Sequence, residues 1–147
     1  MKRLIFALSG AFATLVAAPA LALYEQARWF TLDNGMDVIV IENHRAPAVH
    51  ARVVYKVGAL DEQPGQYGIA HVLEHMMFRG SPEHKGRSLA PGEYDGALGR
   101  IGATDNASTS ANVTSYYGVM GSEHLELFLE LNAVLMNGLN AEDDQLE

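Results

Sequence analysis

Two histidines and a glutamate set the chemical question. His71, Glu74 and His75 stand in the order His-x-x-Glu-His, the inverted form of a zinc-peptidase motif. On an α-helix, residues four apart lie on one face, one turn above the other. His71 and His75 can therefore aim two imidazoles at a single metal ion. Glu74 follows His71 by three residues, so its carboxylate can hang beside the same point. Zinc accepts two imidazole nitrogens, one further protein ligand and a water. A carboxylate that stays off the metal can take a proton from that water. The bland alternative is a chance match on a core helix.

The surrounding residues must position these side chains, and they read as a helix. Gly68 and Gly80 bracket a run with no proline, and Gly80 suits a left-handed C-terminal cap. Ile69, Val72, Leu73, Met76 and Met77 supply an apolar face for burial. The other histidines, His44, His50, His84 and His124, have no partner at ligand spacing and read as surface or strand residues.

The chain has 147 residues, room for one domain at most. Its opening stands apart. Lys2 and Arg3 precede an apolar run from Leu4 to Ala18, followed by Ala20-Leu21-Ala22, a small-x-small cleavage signature. Residues 1–22 read as a secretory signal peptide, with residues 23–147 as the metallopeptidase part. The run is short for a membrane span, so no stable anchor is expected after cleavage. The expected location is periplasmic or secreted. With no cysteine, lipoprotein anchoring and disulfides are excluded. The formal charge is −8, and losing Lys2 and Arg3 with the leader brings it to −10. Nucleic-acid binding needs a basic surface and is not expected.

Along the chain, Asp33-Asn34-Gly35 marks a hairpin turn between strand-like runs. Val38 to Ile41 reads as a strand buried on both faces, and Ala48 to Val57 as the next strand. Gly58 to Gly65 leads into the His-x-x-Glu-His helix. Ser81 to Ser88 reads as a surface loop. Pro91 suits a first helical position, with Tyr94, Leu98 and Ile101 at helical spacing and Gly102 as the stop. Thr104 to Ser110 and Val113 to Met120 read as strands joined near Ala111-Asn112. Ser122 can cap a last helix, Glu123 to Asn137, whose wet side carries Glu126, Glu130 and Asn137 and whose Met and Leu residues are core. Asp143 and Asp144 read as a solvated acidic turn. Strands and helices mix without regular alternation, so the class is α+β.

Three stretches together resemble one family. Gly58-Ala-Leu-Asp-Glu62 with Gly68-Ile-Ala-His-Val-Leu-Glu-His-Met-Met-Phe-Arg-Gly-Ser81 is similar to the active-site segment of the pitrilysin, insulin-degrading enzyme and mitochondrial-processing-peptidase family. Asn106-Ala-Ser-Thr-Ser-Ala-Asn-Val-Thr-Ser-Tyr-Tyr117 resembles its second signature, and Thr31-Leu-Asp-Asn-Gly-Met-Asp-Val38 its first strands. The similarity covers nearly all of the chain after the leader. It implies an incomplete pitrilysin-like domain, a mixed, mostly antiparallel sheet packed against helices. It also implies a zinc endopeptidase, with His71 and His75 on the metal and Glu74 as general base. Asn106 and Ala107 would lie on a strand whose edge receives an extended peptide or protein substrate.

The chain departs from the family pattern at Asn112, often acidic there, and at Leu60, often arginine. The larger departure is the third zinc ligand. In the family this is a glutamate roughly 75–80 residues after the second histidine, and zinc still needs such a ligand. That position falls beyond Glu147. Members usually carry a second, similar half that closes over the substrate, so a homologous half or partner subunit is expected. The reading is an endopeptidase domain inactive as the isolated fragment, unless Glu123 or Asp105 completes the site. The alternative is a non-catalytic partner subunit or peptide-binding module of the same fold, to which a base beside two ligands would be useless. A structural zinc site would want four protein ligands and no Glu74.

Overall fold

The computed structural model describes residues 27–84 and 86–140. The leader and the acidic turn at Asp143 and Asp144 lie outside the described residues. The chain divides into two compact units, one ending at Arg45 and the other beginning at Ala46.

The first unit is a hairpin. Strands β1 (Ala27–Thr31) and β2 (Asp37–Ile41) pair antiparallel, from Ala27 opposite Ile41 to Thr31 opposite Asp37. The turn is the one the Asp-Asn-Gly signal predicts. Gly35 takes φ +85°, and Leu32 N–H donates to Met36 C=O at 2.9 Å. Val38 to Ile41 is not buried on both faces: Ile39 and Ile41 are exposed. The unit holds two strands only, and a two-stranded ribbon has no layer of its own to cover either face.

The second unit is built on a three-stranded antiparallel sheet. Strand β3 covers Ala48–Tyr55. A hairpin of β4 (Ser81–His84) and β5 (Arg87–Leu89) comes later in the chain, then β6 (Thr104–Thr109) and β7 (Thr114–Gly121). The sheet order is β3-β7-β6, so β6 stands at an edge. Three helices complete the unit: α1 (Ile69–Met76), α2 (Glu93–Arg100) and α3 (Leu125–Leu135). The mixed architecture is the α+β class, with antiparallel sheets packed against helices. Leu98 and Phe128 are fully buried at its core, among Leu89, Tyr94, Tyr116, Met120, Leu131 and Leu135. Gly118 admits this packing, since a Cβ there would come within 2.9 Å of the Phe128 ring.

Several local expectations change. Ser81 to Ser88 is a hairpin rather than a loop, because Gly86 takes φ +78° at its turn and Ser81 is buried, its Oγ donating to Val134 C=O at 3.2 Å. Pro91 precedes the N-cap Gly92 instead of opening α2, and Gly102 ends that segment with φ +68° as predicted. Ser122 does not cap α3. A 3₁₀ turn, Ser122–His124, comes first, and His124 occupies the N-cap position without a side-chain bond. Glu126, Glu130 and Asn137 do lie on the exposed side. Leu129 and Met136 are exposed too, since α3 buries only the stripe of Phe128, Leu131, Asn132, Val134 and Leu135.

Candidate metal centre

Helix α1 forms where the glycine-bracketed run predicts it. Gly68 is its N-cap at φ +92°, a conformation that favours glycine. The chain then passes through a 3₁₀ turn, Met77–Arg79, to Gly80. Gly80 has φ +94° but ψ −172°, so it is not a left-handed cap. Its missing side chain is needed for contact, because a Cβ there would lie 2.2 Å from Leu89 O.

The face of α1 that packs inward is not the apolar one. Ile69, Val72 and Leu73 are each nearly half exposed, while Ala70, Glu74 and Met77 are buried. Met77 alone of the expected burial set is buried. Glu74 finds a partner on the sheet, so the inward side carries a carboxylate beside Ala70, and Ile69, Val72 and Leu73 are left outward. Glu74 accepts a hydrogen bond from Thr109 Oγ1 through its Oε2. A buried carboxylate without such a partner would be costly.

His71 and His75 are exposed on the same helix, with their Nε2 atoms 3.2 Å apart. The ring centroids are 4.8 Å apart and the planes meet at 61°. Two zinc–nitrogen bonds of about 2.0–2.1 Å at a tetrahedral angle hold their nitrogens about 3.3 Å apart. The separation of the two Nε2 atoms therefore matches that of two ligands of one zinc ion. One ligand atom from each of His71, Glu74 and His75 lies within 4.8 Å of the others. Among the described residues, neither Glu123 nor Asp105 joins this group. Asp105 lies on β6, where burial, then Asp95, raises its carboxyl above the usual range.

Two residues outside the motif hold the helix in place, and sequence reasoning missed both. Glu62 grips its N-terminus: Gly68 N–H donates to Oε2 at 2.8 Å and Ala70 N–H to Oε1 at 3.0 Å. These bonds satisfy two of the helix's orphan donors and place a negative charge at the positive end of its dipole. The signal available was an acidic residue shortly before a helix start. The same loop is tied to the β6–β7 turn, as Ala59 N–H donates to Ser110 O at 3.1 Å and Leu60 N–H to Ala111 O at 2.7 Å. The second missed residue is Thr109. Period-two alternation puts it on the same face of β6 as Ala107, but nothing in the sequence pairs it with Glu74.

Asn106 and Ala107 sit in the middle of the edge strand. Ser110 N–H donates to Val113 C=O at 2.9 Å. Alternation along an antiparallel ladder then turns the backbone groups of Asp105, Ala107 and Thr109 away from β7, toward the open edge. Consistent with this, Ala107 N–H donates to the Asn106 side-chain oxygen at 2.8 Å instead of to β7.

The profile of the family described as Insulinase (Peptidase family M16) matches residues 37–147. The chain is 36% identical over 116 residues to the zinc protease PqqE of Helicobacter pylori, covering 78% of this chain and 25% of PqqE. It superposes on the crystal structure of a protease from Helicobacter pylori with a TM-score of 0.73 and 36% identity, covering 80% of this chain and 27% of that one. Pitrilysin superposes with a TM-score of 0.67 and 28% identity, over 75% of this chain and 11% of pitrilysin. The chain thus spans about a quarter of the length of PqqE.

Proposed function

The chain belongs to the insulinase family of peptidases, family M16, and on that premise we propose that it is the part of a zinc-dependent endopeptidase that carries two metal ligands and the general base. The observation that carries this reading is the 3.2 Å Nε2 separation of His71 and His75 beside a buried Glu74. PqqE, a relative at 36% identity, bears the name zinc protease.

His71 and His75 would hold zinc through Nε2. When bound, zinc supplies a Lewis acid that polarises a peptide carbonyl and makes a water more acidic. As the base, Glu74 would stay off the metal: Thr109 donates to Oε2, which orients the carboxylate and leaves Oε1 to accept a proton. Glu74 takes that proton as the water oxygen adds to the peptide carbon. It returns the proton to the departing amine nitrogen as the carbon–nitrogen bond breaks. Asn106 and Ala107 would receive the substrate as an added strand on the β6 edge. Asn106 must first release the Ala107 N–H that it holds. A third protein ligand and a homologous half or partner subunit would complete the site. The exposed Ile69, Val72 and Leu73 support such a covering element. Export through the Ala20-Leu21-Ala22 signal would place the enzyme in the periplasm or outside the cell.

The test uses the full-length gene product. His71→Ala or His75→Ala should strip zinc, because each removes a ligand. Glu74→Gln should retain zinc and lose about 10²–10⁴-fold in hydrolysis, since an amide cannot accept the proton. Metal analysis beside peptide-cleavage rates decides, and full activity in Glu74→Gln would falsify the assignment. The same pair of measurements excludes the non-catalytic subunit if the wild type cleaves.

A further inference from the structure

We propose that Thr109 is a positioning residue for Glu74, and that it ties the orientation of the general base to the strand edge that receives the substrate; the inference rests on the peptidase reading above. Thr109 is the last residue of β6. Its side chain points toward the helices, where Oγ1 donates to Glu74 Oε2. Its backbone groups face the open edge, because the neighbouring Ser110–Val113 pair is the hydrogen-bonded one. One residue therefore reads the edge with its main chain and the base with its hydroxyl.

The arrangement has a physical consequence. A free carboxylate beside two imidazoles can turn either oxygen, or both, toward a metal. A hydroxyl donor on Oε2 restricts the carboxylate's rotation and disfavours its turning both oxygens to a metal. Oε1 is then presented in one direction as a proton acceptor. The strand that supplies the hydroxyl is paired with β7, with Thr109 opposite Thr114 and Ser108 Oγ 3.1 Å from Ser115 Oγ. A peptide added along β6 would order this strand further, and with it the carboxylate.

The test compares Thr109→Val, which keeps the branched shape and strand preference but lacks the hydroxyl, with Thr109→Ser, which restores it. In the full-length protein loaded with zinc, Thr109→Val should lower kcat about 10- to 100-fold, the usual cost of a misplaced catalytic group. KM and zinc content should stay as in the wild type, and Thr109→Ser should recover activity to within about threefold of it. A second readout needs no activity. In the metal-free protein, the losses in Tm from Thr109→Val and Glu74→Ala should not add, because each removes the same bond. Additive losses, an unchanged kcat in Thr109→Val, or kcat, zinc and Tm falling together would each overturn the proposal. If the wild-type protein cleaves no peptide, the peptidase reading itself fails and takes this proposal with it; if it cleaves and Thr109→Val cleaves equally well, only the proposal falls.

Discussion

Gly58→Ala should be among the most damaging single-methyl changes in the second unit. Gly58 has φ −160°, an extended backbone open to any residue, so strain in the main chain plays no part. The cost is contact. A Cβ at Gly58 would stand 2.4 Å from Ser110 O, 2.7 Å from Asn112 N and 2.8 Å from Ala111 C, all backbone atoms of the β6–β7 turn. None of them can swing aside as a side-chain tip would. Relieving the contact means opening the loop from the turn by about 1 Å, given that non-bonded heavy atoms prefer separations of about 3.5 Å. The bonds from Ala59 N to Ser110 O and from Leu60 N to Ala111 O, at 3.1 and 2.7 Å, cross the same gap and would stretch out of range. Overpacking costs about 1–3 kcal/mol, and each lost bond about 1 kcal/mol. Together they give about 3–5 kcal/mol, a drop in Tm of more than about 10 °C for a unit of this size. Gly99→Ala is the control. That glycine lies in α2 with nothing within 4 Å of its would-be Cβ, so alanine should stabilise by about 0.5–1 kcal/mol. Urea and thermal denaturation of both variants supply the assay. A Gly58→Ala protein as stable as the wild type would refute the loop-to-turn contact.

Glu62→Ala frees the N–H groups of Gly68 and Ala70 and should cost about 1–2 kcal/mol; calorimetry alongside zinc titration should show lower stability and weaker metal binding together. Burial pushes the Tyr94 hydroxyl up to about 12, with the bond from Asn132 opposing and Asp105 and Asp95 adding. The unfolded chain ionises near the ordinary value of about 10, so it binds fewer protons than the folded one across that window. Tyr94's contribution to stability is therefore full below about pH 10 and falls by about 2–3 kcal/mol as pH rises toward 12; burial raises the Tyr116 and Tyr55 hydroxyls too, so Tyr94→Phe should reduce the fall in pH-dependent urea melts by about that amount without abolishing it. The 147-residue chain alone should bind zinc weakly and cleave nothing, because its described residues offer two imidazoles and a carboxylate already engaged by Thr109. Tight stoichiometric zinc in residues 23–147 would reverse that. Mass spectrometry of the exported protein should find Leu23 at the N-terminus, and an intact Met1 in a membrane pellet would sink the leader assignment.

What the sequence by itself determined was local. The His71–Glu74–His75 set was legible because a helix repeats every 3.6 residues, so three positions within five residues fix one another's directions. The Asp33-Asn34-Gly35 turn, the Gly102 stop and the β6–β7 pair were legible for the same reason, each resting on neighbours in the chain. Only the tertiary structure decided which way α1 faces. Its apolar residues predicted burial of Ile69, Val72 and Leu73, yet the buried side carries a carboxylate. That outcome depends on Thr109, 35 residues later, whose hydroxyl satisfies Glu74 away from water. The Ser81–Leu89 hairpin was hidden too, since its buried Ser81 is anchored to Val134, 53 residues away. Gly58 in sequence is one more loop glycine, and only its approach to Ser110 shows why no larger residue fits. Hydrophobic periodicity reports how much of an element wants to leave water, but a polar group's burial is set by whichever partner the fold brings to it.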